Sequence, residues 1–268
     1  MTRPGEPRPT PRTGARVLAL VLAFLAALLV AGCGGGDTSK DQGSGVTLTV
    51  LAASSLTEVF PTIADSFTAA HPDVTVRFSF AGSQELVAQV ENGAPADVVA
   101  LAGTSALEPV AKEVSQPVLF ARNQLTIVVP PGNPAGVQSL ADLADPNVAV
   151  VLAAPEVPAG LYAQQVLDGA GLTVKPVSQE TDVKAVVSRV ALGGADAGIV
   201  YVTDARAAGT SVSQVPIPDR LNVTATYPAA TIDSSAQGAL AEEFVQFLLT
   251  NPAQTKLRRA GFLPPAPS

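Results

Sequence analysis

"VTLTVLAASSLTEVFPTIADSFTAAHPDVTVRFSF", residues 46–80, is the stretch whose reading decides the fold class. Its first residues alternate and then run apolar, as a strand does on entering a buried sheet. Val59, Ile63 and Phe67 then recur every four residues, which puts them on one helical face. "DVTVRFSF" (73–80) alternates again, as a second strand.

The same rhythm continues outward. "SQELVAQVENG" (83–93) reads as a helix closed by glycine, "ADVVAL" (96–101) as a short buried strand, and 105–113 as a helix. A strand–helix series of this kind predicts a parallel sheet covered on both faces. "PVLF" (117–120) and "QLTIVVP" (124–130) read as two neighbouring strands, and "SLADLAD" (139–145) as a short helix. A second series follows: strand 147–155, helix 158–170, strand 173–178, helix 182–194, and "DAGIVYVTDA" (196–205), a strand into a turn. An extended piece at 222–231 and helices at 235–250 and 252–260 complete the chain. The expectation is an α/β clamshell of two lobes, each a mostly parallel sheet flanked by helices. Lobe 1 takes residues 46–122 and 227–268, and lobe 2 takes 123–226.

The first residues read as an address. Arg3, Arg8, Arg12 and Arg16 precede an apolar run at 17–31, too short for a comfortable membrane span and right for a signal peptide. The run ends in "VAGC", with the chain's single cysteine at Cys33. Small residues before a cysteine at this place resemble the bacterial lipoprotein signal, which implies cleavage after residue 32 and lipidation of Cys33. "GGGDTSKDQGSG" (34–45) then makes residues 33–45 a flexible tether, whose 12 or so glycine-rich residues reach roughly 20 Å. The folded part is thereby expected outside the cytoplasmic membrane, anchored to it and monomeric.

Charge and composition exclude several classes. Leaving out residues 1–32, which hold four arginines and one glutamate, moves the formal charge from −7 to −10. An acidic domain without basic runs is a poor match for nucleic acid. One cysteine and one histidine cannot make a zinc site. Ser55 and Ser83 could be proposed as hydrolase nucleophiles, but no G-x-S-x-G turn is present and His71 lies at a helix end in "AAHPD". Ferric-ion binding would have only Tyr162, Tyr201 and Tyr227 to draw on. No enzyme activity and no cofactor are expected.

The signals that remain all follow strands. "VPAGLYAQQVL" (157–167) starts a helix with Pro158 in the first turn, where its missing N–H costs nothing. Yet no Ser, Thr, Asp or Asn stands at the cap. The bare N–H groups around Ala159 and Gly160 can be met by water or by an anion, which a helix start favours. "AASSLTE", "FAGSQE", "ETDVK" and Tyr201 occupy the same kind of place. In open α/β sheets, ligands bind beyond the carboxyl ends of strands. Each signal has an ordinary reading as well. Ser55 and Glu58 fit a capping box, Ser83 and Thr181 can cap the helices they precede or begin, and Tyr201 can be a half-buried strand tyrosine.

Together these stretches, with "GAPADVVALA" (93–102) and "GIVYVTDA" (198–205), resemble the periplasmic molybdate-binding proteins of bacterial ABC importers. The likeness runs in order from about Val46 to Phe262. It implies an oxyanion held by two serines, backbone N–H groups and a tyrosine hydroxyl: Ser55, Ser83, Ala159 (N–H), Val183 (N–H) and Tyr201. Ser54 stands where the family usually has alanine and is an additional candidate. Thr181 replaces an acidic residue, which leaves a backbone role for Val183 intact. The implied ligands are molybdate and tungstate, and the implied partner is a membrane permease. Sulfate or another tetrahedral oxyanion is the alternative.

Such a set has its own logic. The five candidates include no Arg, Lys, Asp or Glu. A fully deprotonated dianion needs only donors, whereas phosphate keeps a proton and wants an acceptor. Hydrogen bonds to a charged group contribute roughly 1.5–3 kcal/mol each. About five to seven of them, after the cost of association, leave roughly −8 to −12 kcal/mol, or micromolar to nanomolar affinity.

Overall fold

The computed structural model describes residues 45–265. The signal peptide, Cys33 and nearly all of the tether therefore lie outside the described residues. No helix among those described is long and apolar enough to cross a membrane.

Two series of strands share one chain path. β1 (Val46–Ala53) pairs in parallel with β2 (Val74–Ala81) and β3 (Val98–Ala100). Between them run α1 (Val59–Thr68) and α2 (Ser83–Glu91). β1 shows why both faces are covered. Leu48, Val50 and Ala52 point into one core cluster with Phe60, Ile63 and Phe67 of α1, while Leu51 points into another with Leu86, Val87 and Val90 of α2. The two-residue period of the strand assigns each side chain to its helix.

The second series is built alike. β5 (Val150–Ala153) pairs in parallel with β6 (Ser178–Glu180) and β7 (Ala197–Tyr201), with α3 (Pro158–Gly169) and α4 (Val183–Ala191) as crossovers. α5 (Val202–Ala207) follows β7 directly. The fold is thus a mixed α/β one, each half resting on a parallel trio. Antiparallel strands join the halves. β4 (Val118–Val129) pairs through its first part with β9 (Thr224–Thr231), and through its last part with β7 and β8 (Ser213–Pro216). β9 in turn pairs with β3. The order is β2-β1-β3-β9-β4-β7-β5-β6, with β8 beside β4. α6 (Gly238–Phe247) and α7 (Asn251–Ala260) return to the first half, where Phe244 meets Phe60 and Phe67 edge-on.

Several local expectations change. The two strands read at 117–120 and 124–130 are one, β4, carrying a register irregularity between Leu119 and Ala121. The helices read at 105–113 and 139–145 are 3-10 segments, Thr104–Val110 and Ala141–Ala144. Pro109 within the first deprives it of an amide hydrogen. Strand structure starts at Ser178, beyond Pro176, instead of at 173. β8 and α5 had no counterpart in the sequence reading.

Candidate functional site

Strand-to-helix junctions converge on one small cavity, lined by Ala53, Ser54, Ser55, Gly82, Ser83, Ala102, Val157, Pro158, Ala159, Val183 and Tyr201. All five residues singled out from the sequence, and Ser54, are in that wall. Ala53, Gly82, Ala102, Val157 and Pro158 also line it, each from within a stretch quoted above, though none of them reads from the sequence as a ligand contact. No lining residue carries a charged side chain.

Each junction presents its residue for a local reason. After β1 the chain turns through a 3-10 segment, Ser54–Leu56, whose end is fixed by Thr57 Oγ1 donating to the Ser54 carbonyl at 2.6 Å. Ser55 is not the cap of α1, which has no side-chain cap; its hydroxyl instead pairs with Tyr227 Oη at 2.9 Å. Ser83 is the first residue of α2, capped by Gly82, and its Oγ accepts the Ala102 N–H at 3.1 Å. The capping readings of both serines give way to these long-range bonds.

The start of α3 is bare. Val157 is its N-cap and no side chain caps it. Gly160 is required there: a Cβ would run into the carbonyl oxygens of Ala153 and Ala154. The helix thus begins flush against the end of β5, and Ala159, 1% exposed, faces the cavity. α4 is capped by Asp182, not Thr181. The Asp182 carboxylate accepts from Lys184 N at 2.6 Å and Ala185 N at 3.1 Å, which leaves the Val183 amide outside the cap.

Tyr201 ends β7 and is the N-cap of α5. It is 1% exposed, and its hydroxyl has no hydrogen-bond partner among the described residues. A buried polar group without a partner is costly, roughly 1–3 kcal/mol, and points to a ligand or water. Burial pushes its pKa well above the ordinary tyrosine value, and the neighbouring Tyr227 phenol adds to the push. The group is a neutral donor across the physiological range.

Contacts cross the cleft beside the cavity. Gln84 Nε2 donates to the Thr181 carbonyl at 2.9 Å. Lys184 Nζ bridges Glu58 at 2.6 Å and Asp204 at 3.1 Å. Burial alone would lower the Lys184 pKa, but the Asp204 and Glu58 carboxylates outweigh it and hold the ammonium charged. Asp204 is fully buried, and that burial, opposed by Lys184, raises its pKa to about 6.

Nucleophilic chemistry finds no support. His71 stacks on Phe67 with centroids 4.3 Å apart and lies 3.9 Å from Glu243, outside the cavity wall. Among the described residues, no three His, Cys, Asp or Glu side chains come together as a metal site.

Comparison with known proteins gives the family. The molybdate-binding protein ModA of Mycobacterium tuberculosis is 38% identical over 261 residues, covering 93% of this chain and all of that protein. A sulfate-binding protein of Synechococcus elongatus is 26% identical over 92% of this chain and 81% of its own length. The periplasmic molybdate-binding protein of Azotobacter vinelandii superposes with a TM-score of 0.71 at 23% identity, over 81% of this chain and 99% of that one. The model for bacterial extracellular solute-binding proteins matches residues 48–263. The chain belongs to that family, and is a binding protein rather than an enzyme.

Proposed function

We propose that the chain captures a tetrahedral oxyanion, molybdate and with it tungstate, and delivers it to an ABC importer from a lipid anchor at Cys33. One observation carries the reading: a buried tyrosine hydroxyl without a partner shares an uncharged cavity with two serines and two helix-start amides. Ser55, Ser83, Tyr201 and the N–H groups of Ala159 and Val183 are the donors, and Ser54 stands beside them. They need no cofactor. Residues 46–122 with 227–268, and residues 123–226, act as two lobes that close on the anion. Gln84 to Thr181 and Lys184 to Glu58 are then the contacts that closure makes.

Neutral donors suit transport, because the anion can leave when the lobes part. Molybdate is preferred over sulfate because the relative named for molybdate is more similar, 38% against 26% identity. Sulfate remains the second reading on the strength of that second relative. Calorimetry of the ligand-free protein with molybdate, tungstate and sulfate decides between them. Micromolar or tighter molybdate binding is expected. Tight sulfate binding with no molybdate binding overturns the assignment.

A further inference from the structure

We propose that Asn123 and Tyr227, neither of which lines the cavity, fix the direction of the Ser55 hydroxyl proton and so make the site reject anions that carry a proton. The inference rests on the oxyanion reading above and adds how selectivity among oxyanions is set.

The argument follows the protons. Asn123, on β4, is completely buried, and its Oδ1 accepts the backbone N–H of Gln124 at 3.0 Å. An amide N–H can only donate, so this bond settles which end of the carboxamide is oxygen. Nδ2 must then donate, and it faces Thr203 Oγ1 at 2.8 Å and Tyr227 Oη at 3.4 Å. Tyr227, also completely buried, therefore accepts from Asn123 and has its own proton left to give. Among the described residues, its other hydrogen-bond partner is Ser55 Oγ at 2.9 Å. Ser55 accepts that proton and keeps its own for the cavity. Turning its second lone pair inward instead would strand that proton without an acceptor.

Ser83 is held the same way by a simpler device. Its Oγ accepts the Ala102 N–H, a bond that cannot reverse, so its proton too is free for the cavity. With the Tyr201 hydroxyl and the amides of Ala159 and Val183, the wall presents donors, and no carboxylate side chain stands among them. A fully deprotonated dianion accepts at every position. Hydrogenphosphate or hydrogenarsenate brings an O–H that meets another donor. Like ends of two hydrogen-bonding groups repel, and burial in a small cavity raises the cost.

Asn123→Asp tests this by reversing the chain. A carboxylate at 123 accepts from Tyr227, Tyr227 accepts from Ser55, and Ser55 turns a lone pair to the cavity. Kd for molybdate and for inorganic phosphate are measured by calorimetry at about pH 8.5, where phosphate is the hydrogenphosphate dianion and molybdate is a dianion as well, with a thermal melt to check folding. The new charge then repels both dianions alike, so the ratio of the two constants isolates the polarity. The ratio of phosphate Kd to molybdate Kd should shrink at least tenfold. An equal loss for both anions overturns the inference.

Should Asn123→Asp fail to fold, Tyr227→Phe decides, made in the wild type and in Ser55→Ala. It should weaken molybdate three- to tenfold in the wild type and less than twofold once Ser55 is gone, since coupled groups are non-additive. The same factor in both backgrounds would show that Tyr227 only fills space. Wild-type protein that binds no oxyanion refutes the parent reading instead, which keeps the two failures apart.

Discussion

Replacing Tyr201 with phenylalanine should raise the stability of the ligand-free protein and lower its affinity at once. The ring packs against Tyr227 with centroids 6.0 Å apart, and phenylalanine keeps that contact. Only the hydroxyl goes, and it is buried without a partner. Removing an unsatisfied buried donor returns part of its roughly 1–3 kcal/mol desolvation cost. A gain of about 1 kcal/mol corresponds to a rise in Tm of about 2–4 °C for a domain of this size. With molybdate present the sign reverses. A charge-assisted bond of roughly 1.5–3 kcal/mol is lost, about ten- to a hundredfold in Kd. At a ligand concentration a thousand times the wild-type Kd, the wild type gains about 4 kcal/mol, while a hundredfold weaker variant gains only about 1.4. The two melting temperatures should therefore cross as molybdate is added. Paired thermal melts and calorimetry measure this directly. A variant that is less stable without ligand and binds as tightly as wild type would make Tyr201 an ordinary core tyrosine, and the argument from its unpartnered hydroxyl would be wrong.

Gly160→Ala should cost about 1–3 kcal/mol, because its Cβ meets two strand carbonyls; it should also weaken molybdate binding by displacing the Ala159 amide, and a variant with wild-type melt and affinity would count against the close approach. Asp204 titrates at 3.8 unfolded and about 6 folded, so between those values only the folded state holds the proton, and this group's contribution to stability falls as pH rises through the window. The loss is on the order of 3 kcal/mol by pH 7; the unfolding free energy of wild type minus that of Asp204→Asn should drop from pH 4 to pH 6.5, and a flat difference would contradict the assignment. Cys33→Ser should move the protein from the membrane fraction to the soluble one in its host, and a variant that stays lipid-labelled would refute the anchor.

The site was legible where its signals are local. A helix start with proline, small residues and no cap can be seen in "VPAGLYA", and so can the recurrence of such junctions after strands. The roles of the two serines were harder. Ser55 sits in a pattern that fits a capping box, and only a bond to Tyr227, far along the chain, shows otherwise. Nothing near Tyr227 announces that it meets Ser55, and nothing near Asn123 that it meets Tyr227. Asn123 does leave a trace, since "ARN" (121–123) interrupts an apolar run and reads as a break between strands. The strand continues because that polarity is satisfied by Thr203 and Tyr227 from other elements. β8 escaped because "SQVP" has little strand character of its own and owes its form to pairing with β4. Pro109 shaped a 3-10 segment where apolar spacing alone read as helix. Thr181 reads as the cap of its helix, and only the geometry of the turn gives that place to Asp182.

β4 has a consequence for how the molecule comes apart. Its first part completes the sheet of one half and its last part the sheet of the other, and the boundary expected at 122/123 falls inside it. Neither half is a foldable piece. A fragment ending at 122 lacks β9, the partner of β3, and a fragment of 123–226 begins within a strand. The described residues, 45–265, form one compact unit, in keeping with this. Unfolding should accordingly be a single cooperative event, with calorimetric and van't Hoff enthalpies equal and no half-melted species. Even a protein that closes two lobes on an anion would then be, for denaturant and protease alike, indivisible.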